Sequence, residues 1–147
     1  MTLYFEELSV GDEWAGGEYD VTEDEIIAFA EQYDPQWFHT DPERAAEESI
    51  YGGLIAAGFH TAAISTRLLV ESFLSETATL GAKGIDELRW HAPVRPGHQL
   101  STRAEILACD PETDRRGLVE VYIETETAEG DVVFSMIALV MVGRRGD

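Results

Sequence analysis

The sequence predicts an α+β domain in which a curved antiparallel sheet wraps one long buried central helix. Three observations lead there. Helical patterns fill the first half of the chain, strand patterns fill the last part, and one of the helices is apolar or small on most of its sides. Helices that precede a run of strands, with one helix too apolar to face water, define an α+β layering in which the sheet must cover that helix. A chain of 147 residues has room for one good core, so residues 1–147 are read as a single domain.

The elements follow in order. Residues 3–8 and 12–21 read as short extended pieces around a turn at Gly11-Asp12. Thr22 opens a helix: its hydroxyl can accept from the free amides of the first turn, and Glu25, three residues on, completes a capping box. Ile26, Ile27, Phe29, Ala30 and Tyr33 give that helix an apolar face. Pro35 ends it, because the residue before a proline is driven out of helical geometry. Asp41-Pro42 is an N-cap followed by a proline at the first helical position, opening a short helix to about Glu48.

The stretch YGGLIAAGFHTAAISTRLLVESFL, residues 51–74, begins glycine-rich and becomes helical at Gly58. Ala62, Ala63, Ile64, Leu68, Leu69, Phe73 and Leu74 leave only a thin polar stripe at Thr66, Arg67 and Glu71, which makes this the buried helix. LRWHAPV, LSTRAEILAC, LVEVYIETETA and VVFSMIALVMV are four strand-like runs. In the third, Val119, Val121, Ile123 and Thr125 alternate with Glu120, Tyr122, Glu124 and Glu126, the period of a half-buried strand. Asp110 to Gly117 and Glu129-Gly130-Asp131 supply turns.

Composition excludes several function classes. The formal net charge is −19, with one lysine against nine arginines, whereas nonspecific nucleic-acid binding needs a basic face. The same charge disfavours anionic membrane surfaces. No window reaches the roughly 18 apolar residues of a membrane span, and the first residues carry acids where a secretory leader carries base. The expected location is cytoplasmic. Cys109 is the only cysteine, so an intrachain disulfide is out of reach, and it reads as a small packing residue. An anionic ligand would have to find its few arginines gathered locally.

Chemistry concentrates in DPQWFHTD, residues 34–41. Asp34 and His39 lie on either side of a proline-led turn, where a carboxylate and an imidazole can converge on one water as a general acid/base pair. The alternatives are a solvated aspartate at a helix end and a loop histidine bonded to a backbone carbonyl. Gly58 starts the buried helix, where amides lack intrahelical partners and the dipole favours negative charge, so its N–H can serve as an oxyanion donor. The alternative is a glycine needed for close helix–strand contact. Trp37 and Phe38 either pack under the loop or line an acyl pocket. His60 is either a core histidine or an extension of the polar site. His39, His60, His91 and His98 lack metal-site spacing.

These residues carry a resemblance. FAEQYDPQWFHTD followed by YGGLIAAGF is similar to the pattern F-A-x-x-S-G-D-x-N-P-[IL]-H-x-D … F-G-x-x-I-A-H-G-M of the MaoC-like dehydratases and (R)-specific enoyl-CoA hydratases, which have the hotdog fold. Phe29, Ala30, Asp34, His39, Asp41, Gly52, Ile55, Ala56 and Gly58 match, and LRWHAPVRPGH resembles a later F-x-x-P-V-x-x-G-D signature through Pro93, Val94 and Gly97. The chain departs from the pattern where Ser-Gly is missing before Asp34. It departs again where Gln36-Trp37 replaces Asn-Pro, where Ala57 replaces the histidine before Gly58, and where His98 replaces the last aspartate.

The resemblance implies a lyase that adds water to a 2-enoyl-CoA thioester. Asp34 and His39 would be catalytic, the Gly58 amide the oxyanion donor, and Trp37, Phe38 and His60 neighbours of the substrate pocket. It implies no cofactor, since CoA is part of the substrate, and a homodimer or higher homo-oligomer. Two rivals share the fold: an acyl-CoA thioesterase and a non-catalytic acyl-CoA-binding or regulatory subunit.

Overall fold

The computed structural model describes residues 1–146. Five strands, β1 (Glu13–Asp20), β2 (Thr79–Trp90), β3 (Gln99–Pro111), β4 (Arg116–Thr127) and β5 (Val132–Gly143), form one antiparallel sheet in the order β1-β3-β4-β5-β2. Four helices precede β2: α1 (Glu23–Tyr33), α2 (Trp37–Thr40), α3 (Pro42–Glu48) and α4 (Gly58–Ser72). The sheet curls around α4, which is the hotdog arrangement. No helix of the described residues is long and apolar enough to cross a membrane.

The alternation predicted for β4 is what builds the concave face. Val119, Val121, Ile123 and Thr125 are buried there, flanked by Leu100, Thr102, Ala104 and Ile106 of β3 and by Met136, Ala138, Val140 and Val142 of β5. Into this hollow α4 presents Ile64, Ser65, Leu68 and Leu69. Buried hydroxyls pin the contact. Ser65 Oγ bonds the Thr61 carbonyl at 2.8 Å and meets Thr125 Oγ1 at 2.7 Å, and Thr125 meets Thr102 Oγ1 at 3.0 Å. Each hydroxyl is satisfied, so the group locates α4 along the sheet without a desolvation penalty. Phe73 closes the far end, 1% exposed and stacked on Trp14 at 3.9 Å.

The sequence expectations need four corrections. The N-terminal piece is partly helical: Phe5–Glu7 is a single 3-10 turn, and only Leu3 pairs as an isolated bridge, with Thr77. The polar stripe of α4 is wider than read, since Phe59, Ala63 and Val70 also face outward. Tyr33 of α1 is exposed as well, leaving Ile26 and Ala30 as that helix's buried contacts. Finally, β2 begins at Thr79 and stops at Trp90, so His91 to Val94 leave the sheet. Its glycines and charges hid it, because it is an edge strand whose residues are nearly all exposed. Its register shifts three times against β5, and Glu87 sits at φ 51° within the last shift, where bulging bends the strand toward the first turn of α4.

Phe73 supplies a direct test of the closed end. Phe73→Ala is expected to cost about 3–5 kcal/mol, because a stacked ring leaves a cavity the neighbours only partly fill. Denaturant unfolding at unchanged m-value measures it.

Candidate active site

Pro35 and the end of α1 set the position of Asp34. The helix stops at Tyr33, and Asp34 is its C-cap, with φ −153° and ψ 66°, its own amide still bonded to the Ala30 carbonyl at 2.8 Å. The chain then makes the single turn α2, Trp37–Thr40, which brings His39 back beneath Asp34. His39 Nε2 lies 3.4 Å from Asp34 Oδ2, with the imidazole 6% and the carboxylate 30% exposed. Gln36 Nε2 donates to Asp34 Oδ1 at 2.7 Å, which leaves Oδ2 for the histidine side.

The other imidazole nitrogen fixes the protonation pattern. His39 Nδ1 is 2.8 Å from the Ile55 carbonyl oxygen, which can only accept, so Nδ1 carries a proton. In the neutral ring, Nε2 is then a lone pair facing a carboxylate, two acceptors across 3.4 Å. A water that gives one O–H to each satisfies both and is held by the two bases at once.

Asp34, Phe38 and His39 line one wall of a cavity of about 400 Å³. This lies within the size range of small-ligand pockets. Ile55, Ala56, Gly58 and Thr61 form its floor at the start of α4, and Trp90 to Val94 form the opposite wall. His91 is fixed there by Ser135, Nε2 to Oγ 2.7 Å. The amides of His60 and Thr61 turn back to the Ala57 carbonyl at 3.0 and 3.2 Å. Those of Gly58 and Phe59 have no partner among the described residues. The cavity thus has two acid/base side chains on one wall and free helix-start amides on its floor. Among the described residues no group of three His, Cys, Asp or Glu side chains could hold a metal.

Two expectations about the pocket are corrected. Trp37 does not line the cavity: it packs edge-on to Phe38 and under the Arg44 guanidinium, 4.3 Å from the ring centre. His60 does not line it either. His60 is 5% exposed and stacked on Phe29 at 4.7 Å, with Nε2 3.5 Å from Glu25 Oε1. Glu25 in turn accepts from the Tyr19 hydroxyl. Only half of the predicted capping box therefore forms. Thr22 accepts from the Glu25 amide at 3.2 Å, but the Glu25 side chain turns inward toward His60.

This inner cluster leaves two polar atoms without partners. Glu25 Oε1 and His60 Nδ1 are buried with no hydrogen-bond partner among the described residues. Burial pushes the His60 imidazole below its usual pKa, with Glu25 opposing more weakly. Burial and the bond to Glu25 push the Tyr19 phenol up to about 12.

The glycine of the first α4 turn has a reason the sequence allowed only as an alternative. A Cβ on Gly58 would sit 2.5 Å from Cε2 of Trp90, so the absent side chain makes room for an indole from β2. Sequence reasoning missed Trp90, His91 and Thr61 as lining residues. It read 88–94 as continuous strand, and no periodicity marks where a strand leaves its sheet.

Comparison with known proteins gives the family. Residues 10–129 match the model of the MaoC like domain, and the chain belongs to that family. The uncharacterized Bacillus subtilis protein YdeM is 28% identical over 142 residues, 97% of this chain and 100% of that one. The 3-hydroxyacyl-thioester dehydratase Z of Mycobacterium tuberculosis is 33% identical over 92 residues, 61% of this chain and 60% of that protein. The crystal structure of a MaoC-like dehydratase from Rhodospirillum rubrum superposes with a TM-score of 0.90 at 41% identity, covering 99% of both chains. The family supports hydro-lyase chemistry in general terms.

The depressed basicity of His60 gives a prediction with a definite sign. A base whose folded pKa lies below its unfolded value stabilises the fold above the unfolded pKa and loses that contribution as pH falls through it. At pH 6.5, where a free imidazole is half protonated, nitrogen-15 NMR of the His60 ring is expected to show more neutral than protonated form. Glu25→Gln removes the opposing charge and is expected to lower the midpoint further.

Proposed function

We propose that this protein adds water across the C2=C3 bond of a 2-enoyl-CoA thioester, as an (R)-specific enoyl-CoA hydratase running reversibly as a 3-hydroxyacyl-CoA dehydratase. One observation carries the reading: Asp34 and His39, 3.4 Å apart, share a cavity with the amide of Gly58. An acyl thioester carbonyl seated on that amide places its β-carbon toward the wall that holds the two bases.

The steps follow from the donors and acceptors present. The Gly58 N–H bonds the thioester oxygen, and the α4 dipole adds to the stabilisation as enolate charge builds there. A water held by Asp34 Oδ2 and His39 Nε2 loses a proton to one of them while its oxygen attacks C3. A proton then passes to C2 on the same face. His39 keeps its orientation throughout, because Nδ1–H stays on the Ile55 carbonyl. Gln36 keeps Asp34 turned by holding Oδ1.

We also propose that the working unit is at least a homodimer. β2 is a sheet edge carrying Leu80, Ile85 and Trp90 in the open, and the outward face of α4 adds Phe59 and Val70. Of these, Phe59 and Trp90 also line the cavity, so a second copy seated on this face would cover its open side. Light scattering at micromolar concentration is expected to give twice the chain mass, and a clean monomer would overturn the assignment.

For the chemistry, crotonyl-CoA and longer or branched enoyl-CoAs are offered while enone absorbance and free thiol are followed separately. Enone loss without thiol release is expected. Asp34→Asn and His39→Gln should each lower kcat by about 100- to 10,000-fold, the usual worth of one acid/base group. Thiol release that survives in both variants would point instead to a thioesterase.

A further inference from the structure

Trp90 is the residue whose position the proposed chemistry leaves unexplained. It ends the edge strand β2, where it pairs with Phe134 of β5 and its ring lies 6.5 Å from that phenyl; it is 47% exposed, and its indole reaches across the first turn of α4. The indole N–H donates to the Gly58 carbonyl at 2.8 Å. Cε2, Cζ2 and Nε1 lie 2.5, 2.7 and 2.8 Å from where a Gly58 Cβ would stand. Phe59 braces the ring edge-on at 5.6 Å. An exposed tryptophan held by a hydrogen bond, a side-chain-free backbone and an aromatic edge has one orientation.

The carbonyl it holds is informative. Gly58 C=O and Phe59 N–H belong to the same peptide plane. A donor on that oxygen fixes the plane and polarises the amide at its other end, since hydrogen bonds in series strengthen one another. Both Gly58 and Phe59 line the cavity, and both amides lack partners among the described residues. We infer that Trp90 is a positioning residue: its indole locks and polarises the 58–59 peptide so that the Phe59 amide stands as a second donor beside the Gly58 amide, making a two-donor oxyanion site.

This rests on the hydratase reading for its kinetics but not for its geometry, and the test separates the two. Two variants remove the donor while keeping an aromatic group on Gly58: Trp90→Phe, and site-specific replacement of Trp90 by benzothienylalanine, which exchanges only the N–H for sulfur. The probe is butyryl-CoA, saturated and unreactive, with carbon-13 at the thioester carbonyl, read by infrared difference spectroscopy. In the wild type the stretch is expected to fall on binding, and in both variants at least half of that fall is expected to vanish. With crotonyl-CoA, kcat is expected to drop about tenfold with KM within about twofold. That is a fraction of the 100- to 1,000-fold loss seen when an oxyanion donor is removed outright.

A carbonyl shift that depends on Trp90 without turnover of any enoyl thioester supports the positioning role and sinks the hydratase reading. A wild-type protein without a shift, or a benzothienylalanine variant with an unchanged shift and kcat within twofold, overturns the inference.

Discussion

The seating of α4 in the hollow of the sheet is the constraint from which the site follows. Ile64, Leu68 and Leu69 fill the curve, while the Ser65–Thr125–Thr102 hydroxyls fix how far along it the helix lies. Apolar packing alone would tolerate a slide of the helix, because dispersion is not directional. Three satisfied hydroxyls between helix and sheet do not. With the helix located, its first turn falls at the edge where β2 ends and where the α1–α2 turn returns. The floor of the cavity is therefore a product of packing some ten Å deeper in the core, on the order of two helical turns away.

Charge then has to be reconciled with chemistry. A chain of net charge −19 is a poor host for developing negative charge. In the proposed chemistry the answer is neutral donors, the backbone amides at the start of α4. Dipoles of this kind act locally and are fixed before substrate arrives, so the acidic surface does little to blunt them. Several cations near the sheet are spent on carboxylates, Lys83 on Glu112 and Arg103 on Glu124. Arg95, which bonds the Tyr51 carbonyl at 2.6 Å, stands beside the cavity wall.

Local rules were legible in the sequence wherever a residue acts on its near neighbours. The Thr22 and Asp41 caps, the Pro35 stop, the start of α4 at Gly58 and the alternation of β4 all rest on spacings of a few residues. Asp34 and His39 were visible for the same reason, being five positions apart. What could not be read was set by distant partners. Glu25 had a plausible local role in a capping box, and only the fold brings His60 and Tyr19 to it. Trp37 had the composition of a pocket residue, yet Arg44 two turns of chain later covers it. β2 lacks apolar alternation because an edge strand buries neither face well, and the point where it releases His91 to Val94 into the cavity depends on its bulges.

The bond from His39 to Ile55 has a consequence for how such a pocket can change. The atom that fixes the imidazole tautomer is a main-chain oxygen, which every residue at position 55 would supply. Ile55 is, meanwhile, one of the residues that line the cavity. One position thus contributes an invariable group to the acid/base pair and a freely exchangeable one to the shape of the ligand space. A substitution there can enlarge or narrow the ligand space without passing through a form in which the histidine has lost that bond. The shape of the cavity and the orientation of the imidazole are, at this residue, separately heritable.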